Sequence, residues 1–325
     1  MMLKTIINQS QKYMREHEID GWLLYDYRGM NPIFTDTVGR ISNVTRPCWL
    51  WIPSKGETKL IVSYVDQGRF EHLGTDTVLF VSREDMASQL EAVLKGVEII
   101  AMEYSPNGAI PRVSKVDAGT VEFVRGLVSD VVSSADLLQY ATQRWTEDHL
   151  QSHLTAADSL GRIVHDAFTF VGKNLPAGGV TEYEVATFIM DRFAEEGLDS
   201  PDGPVVAINA HAADPHFEPT PNNTAKIQTG DWILIDLWGR VLEGDTMFAD
   251  ITWTAYVGEK VPAKHQRVFD AVIGGRDAAL HELDKAFQDG RLLQGWELDT
   301  AARDYITKAG FGQYFNHRLG HSLGR

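Results

Sequence analysis

Two apolar segments in the second half of the chain each carry one carboxylate, and this pattern constrains the fold most strongly. Asp236 lies within 232–238 and Asp250 within 248–253, and their neighbours are mostly Ile, Leu, Phe and Trp. A carboxylate in an apolar strand costs free energy unless it is paired or binds a cation. A turn over 240–244 predicts neighbouring strands with the aspartates side by side, about 5 Å apart at Cβ, which suits shared metal coordination. Turn capping or pairing with an arginine stays open as the alternative.

The first half of the chain alternates helix and strand patterns. A helix is predicted over 3–18, and the connection at 53–56, which holds Pro and Gly, is typical of a hairpin. Short apolar runs predict strands at 21–25, 48–52, 60–62, 78–81 and 98–102. Because helical stretches separate these strands, the pattern predicts an α/β arrangement.

The second half is predicted to open with a long helix that runs from about Leu150 to a natural stop at Gly172. Thr181 and Glu184 form a capping-box pattern that begins the next helix, which ends at Gly197. The remaining predicted elements are a strand at 205–208, two strands at 232–238 and 248–257, and helices over 262–287 and 297–309.

Length and charge bound the domain count and the partners. At about 150 residues per domain, 325 residues predict two domains, and we place their boundary near Arg144, as 1–143 and 144–325. The net charge of −15 argues against nucleic acid and anionic membranes as partners. The N-terminus lacks a signal-peptide pattern and no run of about 18 apolar residues occurs, so we expect a cytoplasmic protein without a membrane span. The single cysteine, Cys48, is predicted to be a buried thiol in a strand and not a nucleophile.

Histidines supply the remaining candidate residues. His317 and His321 would share one face of a helix, although Gly320 makes a loop or a strand equally compatible. His216 follows a proline and is expected in an extended loop. His211, in the same segment, is interpreted as an exposed surface residue.

In their order along the chain, these pieces resemble the creatinase/prolidase/aminopeptidase P family of pita-bread metallopeptidases. The resemblance rests on Pro215-His216-Phe217, then 230–236, then Asp250-Ile251-Thr252, then the His317-x-x-x-His321 spacing, and 19–25 resembles the start of the family's N-terminal domain. Each piece alone is weak, whereas four in the family's order are specific. The resemblance implies an α/β (α+β) fold class, with a creatinase-type N-terminal α/β domain followed by a pita-bread catalytic domain.

The resemblance also implies roles for individual residues. Asp236, Asp250 and His321 would be metal ligands, with Asp250 bridging two divalent ions, for which Mn²⁺ is the first choice and Co²⁺ or Zn²⁺ are alternatives. His216 and His317 would be catalytic histidines that steady the substrate and the tetrahedral intermediate. The implied reaction is hydrolysis of the peptide bond preceding proline by a metal-bridging hydroxide, as in an Xaa-Pro aminopeptidase or prolidase. A homodimer is implied as well.

The chain departs from the family pattern in two places. The loop between the two aspartates is longer than usual, which can reshape the rim of the site. The family also supplies two glutamate ligands and a further histidine after the segment that holds His321, and these positions would fall beyond Arg325. We therefore expect a chain truncated at its C-terminus that, by itself, binds metal poorly and is inactive.

Two other functions remain open on the same fold. One is a non-peptidase enzyme, either a metal-free amidinohydrolase or a metal-dependent lyase that acts on a small sulfonium compound. Retention of Asp236 and Asp250 counts against the metal-free enzyme but not against the lyase. The other is a catalytically inactive binding module, which the acidic charge and the retained ligands disfavour.

Overall fold

The computed structural model describes residues 2–214 and 216–324. The chain divides into two compact units, Met1–Arg144 and Trp145–Arg325. None of the helices in the described part of the chain combines the length and apolar character that crossing a membrane requires.

Unit 1 is a mixed sheet with helices around it. Its helices are α1 (Met2–Glu16), α2 (Pro32–Val38), α3 (Arg83–Val93), α4 (Ala118–Arg125) and α5 (Ala135–Thr142). Its strands are β1 (Gly21–Tyr27), β2 (Pro47–Pro53), β3 (Lys59–Ser63), β4 (Asp76–Phe80), β5 (Ile99–Met102) and β6 (Asp130–Ser133). Among the described residues these strands form one sheet in the order β4-β3-β2-β1-β5-β6.

Strand pairing and burial in unit 1 follow the sequence pattern. Strands β2 and β3 pair in antiparallel fashion across the predicted hairpin. Both faces of the sheet are covered, since Trp22 and Leu24 of β1 pack into one apolar cluster and Leu23 into another. Cys48 is fully buried, and burial followed by the nearby carboxylates raises the pKa of its thiol well above its usual value. The expectation of a buried thiol is thus confirmed, whereas strand β6 was not predicted.

Unit 2 combines long helices with an antiparallel sheet. The helices are α6 (Glu147–Asn174), α7 (Glu182–Glu195), α8 (Ala263–Gln288) and α9 (Gly295–Lys308). The strands are β7 (Leu198–Asp199), β8 (Val205–Ile208), β9 (Trp232–Val241) and β10 (Ala249–Tyr256). Strand β9 pairs with β10 on one side and with β7 and β8 on the other.

The alternation along β9 separates a core face from a site face. Residues 233, 235, 237 and 239 are buried, whereas 232, 234, 236, 238 and 240 are partly exposed. The buried set includes Ile235, which packs with Leu160 of α6 and Ile189 of α7 in one cluster. Because successive side chains of a strand point to opposite faces, Asp236 lies on the face that these two helices do not cover.

Helix boundaries in unit 2 confirm one sequence expectation and correct another. The capping box of α7 is present, since Glu184 N donates to Thr181 Oγ1 (3.2 Å) and Thr181 N donates to Glu184 Oε2 (2.7 Å). The expected stop at Gly172 is wrong, because α6 runs to Asn174 and the chain turns at Gly178 with φ of +104°. Glycine ends a helix where it adopts the left-handed conformation, and in this region Gly178 does so.

Candidate metal and substrate site

The two aspartates lie on the same face of the β9–β10 pair but not directly opposite one another. Asp236 is opposite Thr252, and Asp250 is opposite Trp238. The side-by-side arrangement expected from the sequence is therefore wrong by two residues, so the pair is diagonal, at a Cα separation of about 7–8 Å. Strand β9 continues to Val241, past the start of the expected turn, and turn position sets register.

Each aspartate has a different neighbour. Asp236 Oδ1 accepts a hydrogen bond from Thr252 Oγ1 at 2.7 Å. Asp250 Oδ2 lies 3.6 Å from His321 Nε2, and 28% of the Asp250 side chain is exposed. Within the described residues neither carboxylate pairs with an arginine, which removes that alternative reading of the sequence for this part of the chain.

The electrostatics at Asp250 favour a positive charge. Burial raises the pKa of the Asp250 carboxyl, the charge of Asp236 raises it further, and His321 lowers it. A cation between the two carboxylates would offset both the desolvation and the repulsion. The donor set of two carboxylates and one imidazole, without thiolate, is suited to Mn²⁺, Co²⁺ or Zn²⁺. In the described chain, however, His, Cys, Asp and Glu side chains do not gather in groups of three or more that are able to hold a metal ion.

The connection before β10 is tied to α6 and to the segment that holds His321. Ser152 Oγ accepts from Met247 N at 3.1 Å, and His153 Nδ1 lies 2.9 Å from the carbonyl oxygen of Phe248. Phe248 N in turn donates to the carbonyl of Gly324 at 2.9 Å. These contacts fix the backbone two residues before Asp250, and they hold the end of the described chain beside it.

The His317–His321 segment is an irregular loop and not a helix. Helix α9 anchors it, because Arg303 donates to the carbonyl of His317 (2.9 Å) and Asp299 Oδ1 accepts from Leu319 N (2.6 Å). His317 is exposed, and its Nδ1 lies 2.7 Å from the carbonyl oxygen of Arg318. The structure thus brings His321 to Asp250, whereas the ring of His317 packs edge-on against Phe315 at 5.2 Å between centroids.

His216 lies on the wall of a cavity of about 180 Å³, which we name the Trp238 cavity. Val205 and Trp238 form part of the same wall. Val205 is opposite Asp236 across β8 and β9, and Trp238 is opposite Asp250 across β9 and β10. Two residues of the cavity wall are therefore strand partners of the two aspartates. Hydrogen bonds or ion pairs from the His216 side chain to either carboxylate are absent among the described residues, and Pro215 of the sequence motif lies outside them.

A buried carboxylate that the sequence analysis missed supports the loop of His216. Glu182 is fully buried and accepts from Ile208 N at 2.7 Å and Ala225 N at 2.6 Å. His211 Nδ1 lies 2.9 Å from Glu182 Oε1, and the His211 ring stacks on Phe217 at 4.3 Å between centroids. The interpretation of His211 as a plain surface residue is therefore wrong. No local pattern reveals a pairing between residues so far apart in sequence.

Comparison with known proteins decides the family. Residues 154–325 match the sequence profile of Metallopeptidase family M24. This chain belongs to that family. It is 32% identical over 147 residues to the putative dipeptidase YkvY of Bacillus subtilis, which covers 45% of this chain and 37% of that protein. It is 33% identical over 156 residues to an uncharacterized peptidase of Staphylococcus epidermidis, covering 47% of this chain and 40% of the relative. The matches thus span less than half of either M24 relative.

Solved structures show the fold of this M24 chain. Dipeptidase PepE from Mycobacterium ulcerans superposes with a TM-score of 0.67 at 19% identity, covering 99% of this chain and 81% of that one. The Xaa-Pro dipeptidase from Bacillus anthracis superposes with a TM-score of 0.58 at 20% identity, covering 99% of this chain and 82% of that one. An X-prolyl aminopeptidase from Caenorhabditis elegans superposes with a TM-score of 0.57 at 16% identity, covering 95% of this chain and 49% of that one. That protein is described as a cytosolic enzyme with a di-nuclear active site. The expected family and pita-bread fold are confirmed.

Proposed function

We propose that this M24 protein is a metallopeptidase that hydrolyses the bond preceding proline, as an Xaa-Pro aminopeptidase or a prolidase does. The observation that carries the proposal is the same-face pair of Asp236 and Asp250, with His321 Nε2 3.6 Å from the Asp250 carboxylate. M24 membership and the Xaa-Pro peptidases among the structural neighbours support the substrate class.

In this proposal Asp236, Asp250 and His321 hold two divalent ions, as the di-nuclear neighbour suggests. Bound divalent ions lower the pKa of water and polarise a carbonyl oxygen. Asp236 would be oriented by the hydroxyl of Thr252, which leaves its other carboxylate oxygen for an ion. The repulsion that raises the pKa of Asp250 would be relieved by that positive charge.

The histidines would act on the peptide. His216 lines the Trp238 cavity, and two other residues of that wall are strand partners of the aspartates. We therefore assign His216 to bind substrate and to donate to the oxyanion that develops at the scissile carbonyl. His317 is proposed to act in the same way from the loop that α9 anchors. Stacking of His211 on Phe217 would hold the backbone next to His216 in place.

The test uses the protein expressed from its complete reading frame and measures turnover of an Xaa-Pro dipeptide and of a tripeptide led by Xaa-Pro, with Mn²⁺ present. The proposal expects turnover that disappears in Asp250→Asn and survives in Asp304→Asn, which removes the same charge from an exposed position of α9. The ratio of the dipeptide to the tripeptide rate separates a prolidase from an aminopeptidase. Absence of turnover on both peptides, with turnover of a small sulfonium compound instead, would replace the proposal with a lyase.

A further inference from the structure

The Trp238 cavity carries more negative charge than the proposed hydrolysis requires. Besides His216, its lining includes Asp202 and Glu218. Both carboxylates are exposed, and within the described residues neither forms a hydrogen bond or an ion pair. Among the described residues that line the cavity, none is an arginine or a lysine. The cavity therefore presents two negative charges without a cation of its own.

An aromatic wall accompanies these carboxylates. Trp238 lines the same cavity and is opposite Asp250 in the β9–β10 ladder. The face of a tryptophan ring attracts a cation, and the attraction grows when the site excludes water. An indole face with two carboxylates is a combination that suits a guanidinium or an ammonium group better than an apolar or an acidic one.

The size and place of the cavity indicate which part of a ligand it holds. A volume of about 180 Å³ is below the roughly 300–1,000 Å³ of sites for drug-sized ligands, so the cavity suits one side chain and not a whole peptide. Two of its lining residues, Val205 and Trp238, are the strand partners of Asp236 and Asp250. A side chain bound here would therefore belong to a residue next to the bond that is cleaved.

We propose that the Trp238 cavity selects peptides whose first residue is arginine or lysine, with Asp202 and Glu218 as the residues that determine this specificity. The proposal rests on the proposed function, since it assigns the cavity to the residue preceding the scissile bond. Asp202 and Glu218 bind the cationic end of that side chain, and Trp238 covers its aliphatic part and its charge.

A binding measurement tests the specificity without requiring turnover. Argininamide, N-acetylargininamide and leucinamide are titrated into the protein, and the chemical shift changes of the tryptophan indole protons are followed by NMR. Because a tryptophan face attracts a cation, we expect argininamide to bind about tenfold more tightly than leucinamide. N-acetylargininamide keeps the guanidinium without the α-amino group, so the proposal expects it to retain the advantage over leucinamide.

The matched variants are Asp202→Asn with Glu218→Gln, and, as a control, Asp304→Asn with Glu259→Gln at exposed positions of the same unit. The first pair is expected to abolish the preference for arginine, whereas the control pair keeps it. Equal affinities for the arginine and leucine compounds in the wild type would overturn the proposal. So would an arginine preference that survives in the Asp202 and Glu218 variant, or one that N-acetylation removes.

Turnover separates this proposal from the function on which it rests. Hydrolysis of Leu-Pro and Arg-Pro at equal kcat/KM would overturn the cavity assignment and leave the Xaa-Pro peptidase standing. If the amides show the arginine preference but the protein expressed from its complete reading frame cleaves neither dipeptide, the Xaa-Pro function fails and the cation-binding cavity is retained. A higher kcat/KM for Arg-Pro that is lost in the Asp202 and Glu218 variant supports both.

Discussion

Each unit holds a carboxyl whose pKa is raised, but the two carboxyls have different surroundings. Glu103 in unit 1 is fully buried and accepts hydrogen bonds from Trp22 Nε1 at 2.6 Å and Asn31 Nδ2 at 3.1 Å. Asp250 in unit 2 is only partly buried, and its neighbours are the like charge of Asp236 and the imidazole of His321. Burial is the largest cause of the raised pKa in both.

The difference lies in what compensates the charge. Glu103 finds its donors within unit 1, and burial outweighs them, raising its pKa to about 7. Asp250 has a second carboxylate on the same face of the sheet and one imidazole nearby. A raised pKa alone therefore does not mark a functional residue. A better candidate for a functional residue is a carboxyl whose pKa is raised partly by the charge of a second carboxylate.

The largest expected effect concerns the pair in unit 2. Asp250→Asn removes a proposed metal ligand, whereas Glu103→Gln leaves the proposed site unchanged. Because loss of a residue that merely supports a ligand costs 10–100-fold, we expect Asp250→Asn to lower turnover by at least about 100-fold. Steady-state kinetics with Mn²⁺ on an Xaa-Pro dipeptide measure this, with both variants expressed from the complete reading frame. An equal loss in Glu103→Gln at unchanged stability would break the comparison.

The second prediction concerns stability and pH in unit 1. The pKa of Glu103 is 4.5 as the reference value and about 7 in the fold, so the folded state holds a proton that the unfolded state releases between these values. The contribution of Glu103 to the free energy of unfolding is fully present below pH 4.5. It is lost as the pH rises to about 7, by roughly 3 kcal/mol in total. Urea unfolding of the full chain between pH 4.5 and 8 measures the slope.

The control for this slope is Glu103→Gln, with Glu91→Gln on the exposed surface of α3 as the matched change. The Glu103→Gln variant is expected to lose this component of the slope. It is also expected to be less stable at low pH, because one amide nitrogen would face the donor groups that now approach the carboxylate. An unchanged slope in Glu103→Gln would contradict this account of unit 1.

The third prediction shows whether surroundings, and not the unit, decide the role of a carboxylate. Glu182 lies in unit 2 but resembles Glu103, since it is fully buried with donors from Ile208 N, Ala225 N and His211. Glu182→Gln places an amide against these donors, and we expect it to cost about 1–3 kcal/mol of unfolding free energy. Its Mn²⁺ affinity should stay within about twofold of the wild type. A metal affinity lowered as much as in Asp250→Asn would refute the distinction.

The smallest effect concerns the orientation of Asp236. Thr252→Val keeps the shape of the side chain and removes the hydroxyl that donates to Asp236 Oδ1. Loss of such a supporting hydrogen bond is expected to lower Mn²⁺ affinity by about tenfold. Thr252→Ser retains the hydroxyl and should restore the affinity. Equal affinities in the Val and Ser variants would show that the hydroxyl does not support the site.

The sequence predicts the family, the fold and most elements, because strand alternation and helix capping are local patterns. The capping box of Thr181 and Glu184 is one that the structure confirms. Register is less local, since it depends on where the connection after β9 begins, and the prediction for Asp236 and Asp250 was wrong by two residues. Because an even shift keeps both side chains on one face, the error changed their spacing and not their side of the sheet.

Contacts between distant segments lay beyond the sequence analysis. The partner of His211 is Glu182, the first residue of α7. The sequence around each of the two residues contains no pattern that predicts this contact. The anchoring of the His317–His321 loop by Asp299 and Arg303 of α9 is hidden for the same reason. The sequence named His216, His317 and His321 as candidates, whereas only the packing of the elements shows that His321 lies beside Asp250.

The most direct test of the central claim is Mn²⁺ broadening of NMR signals from the protein and from Asp250→Asn. Paramagnetic broadening detects bound Mn²⁺ without requiring saturation of the site. The account predicts that signals of His321 and of the residues around Asp236 and Asp250 broaden first in the wild type, and that this selectivity is lost in the variant. Equal broadening of these signals in both proteins, or first broadening elsewhere in the chain, would contradict the assignment of the metal site.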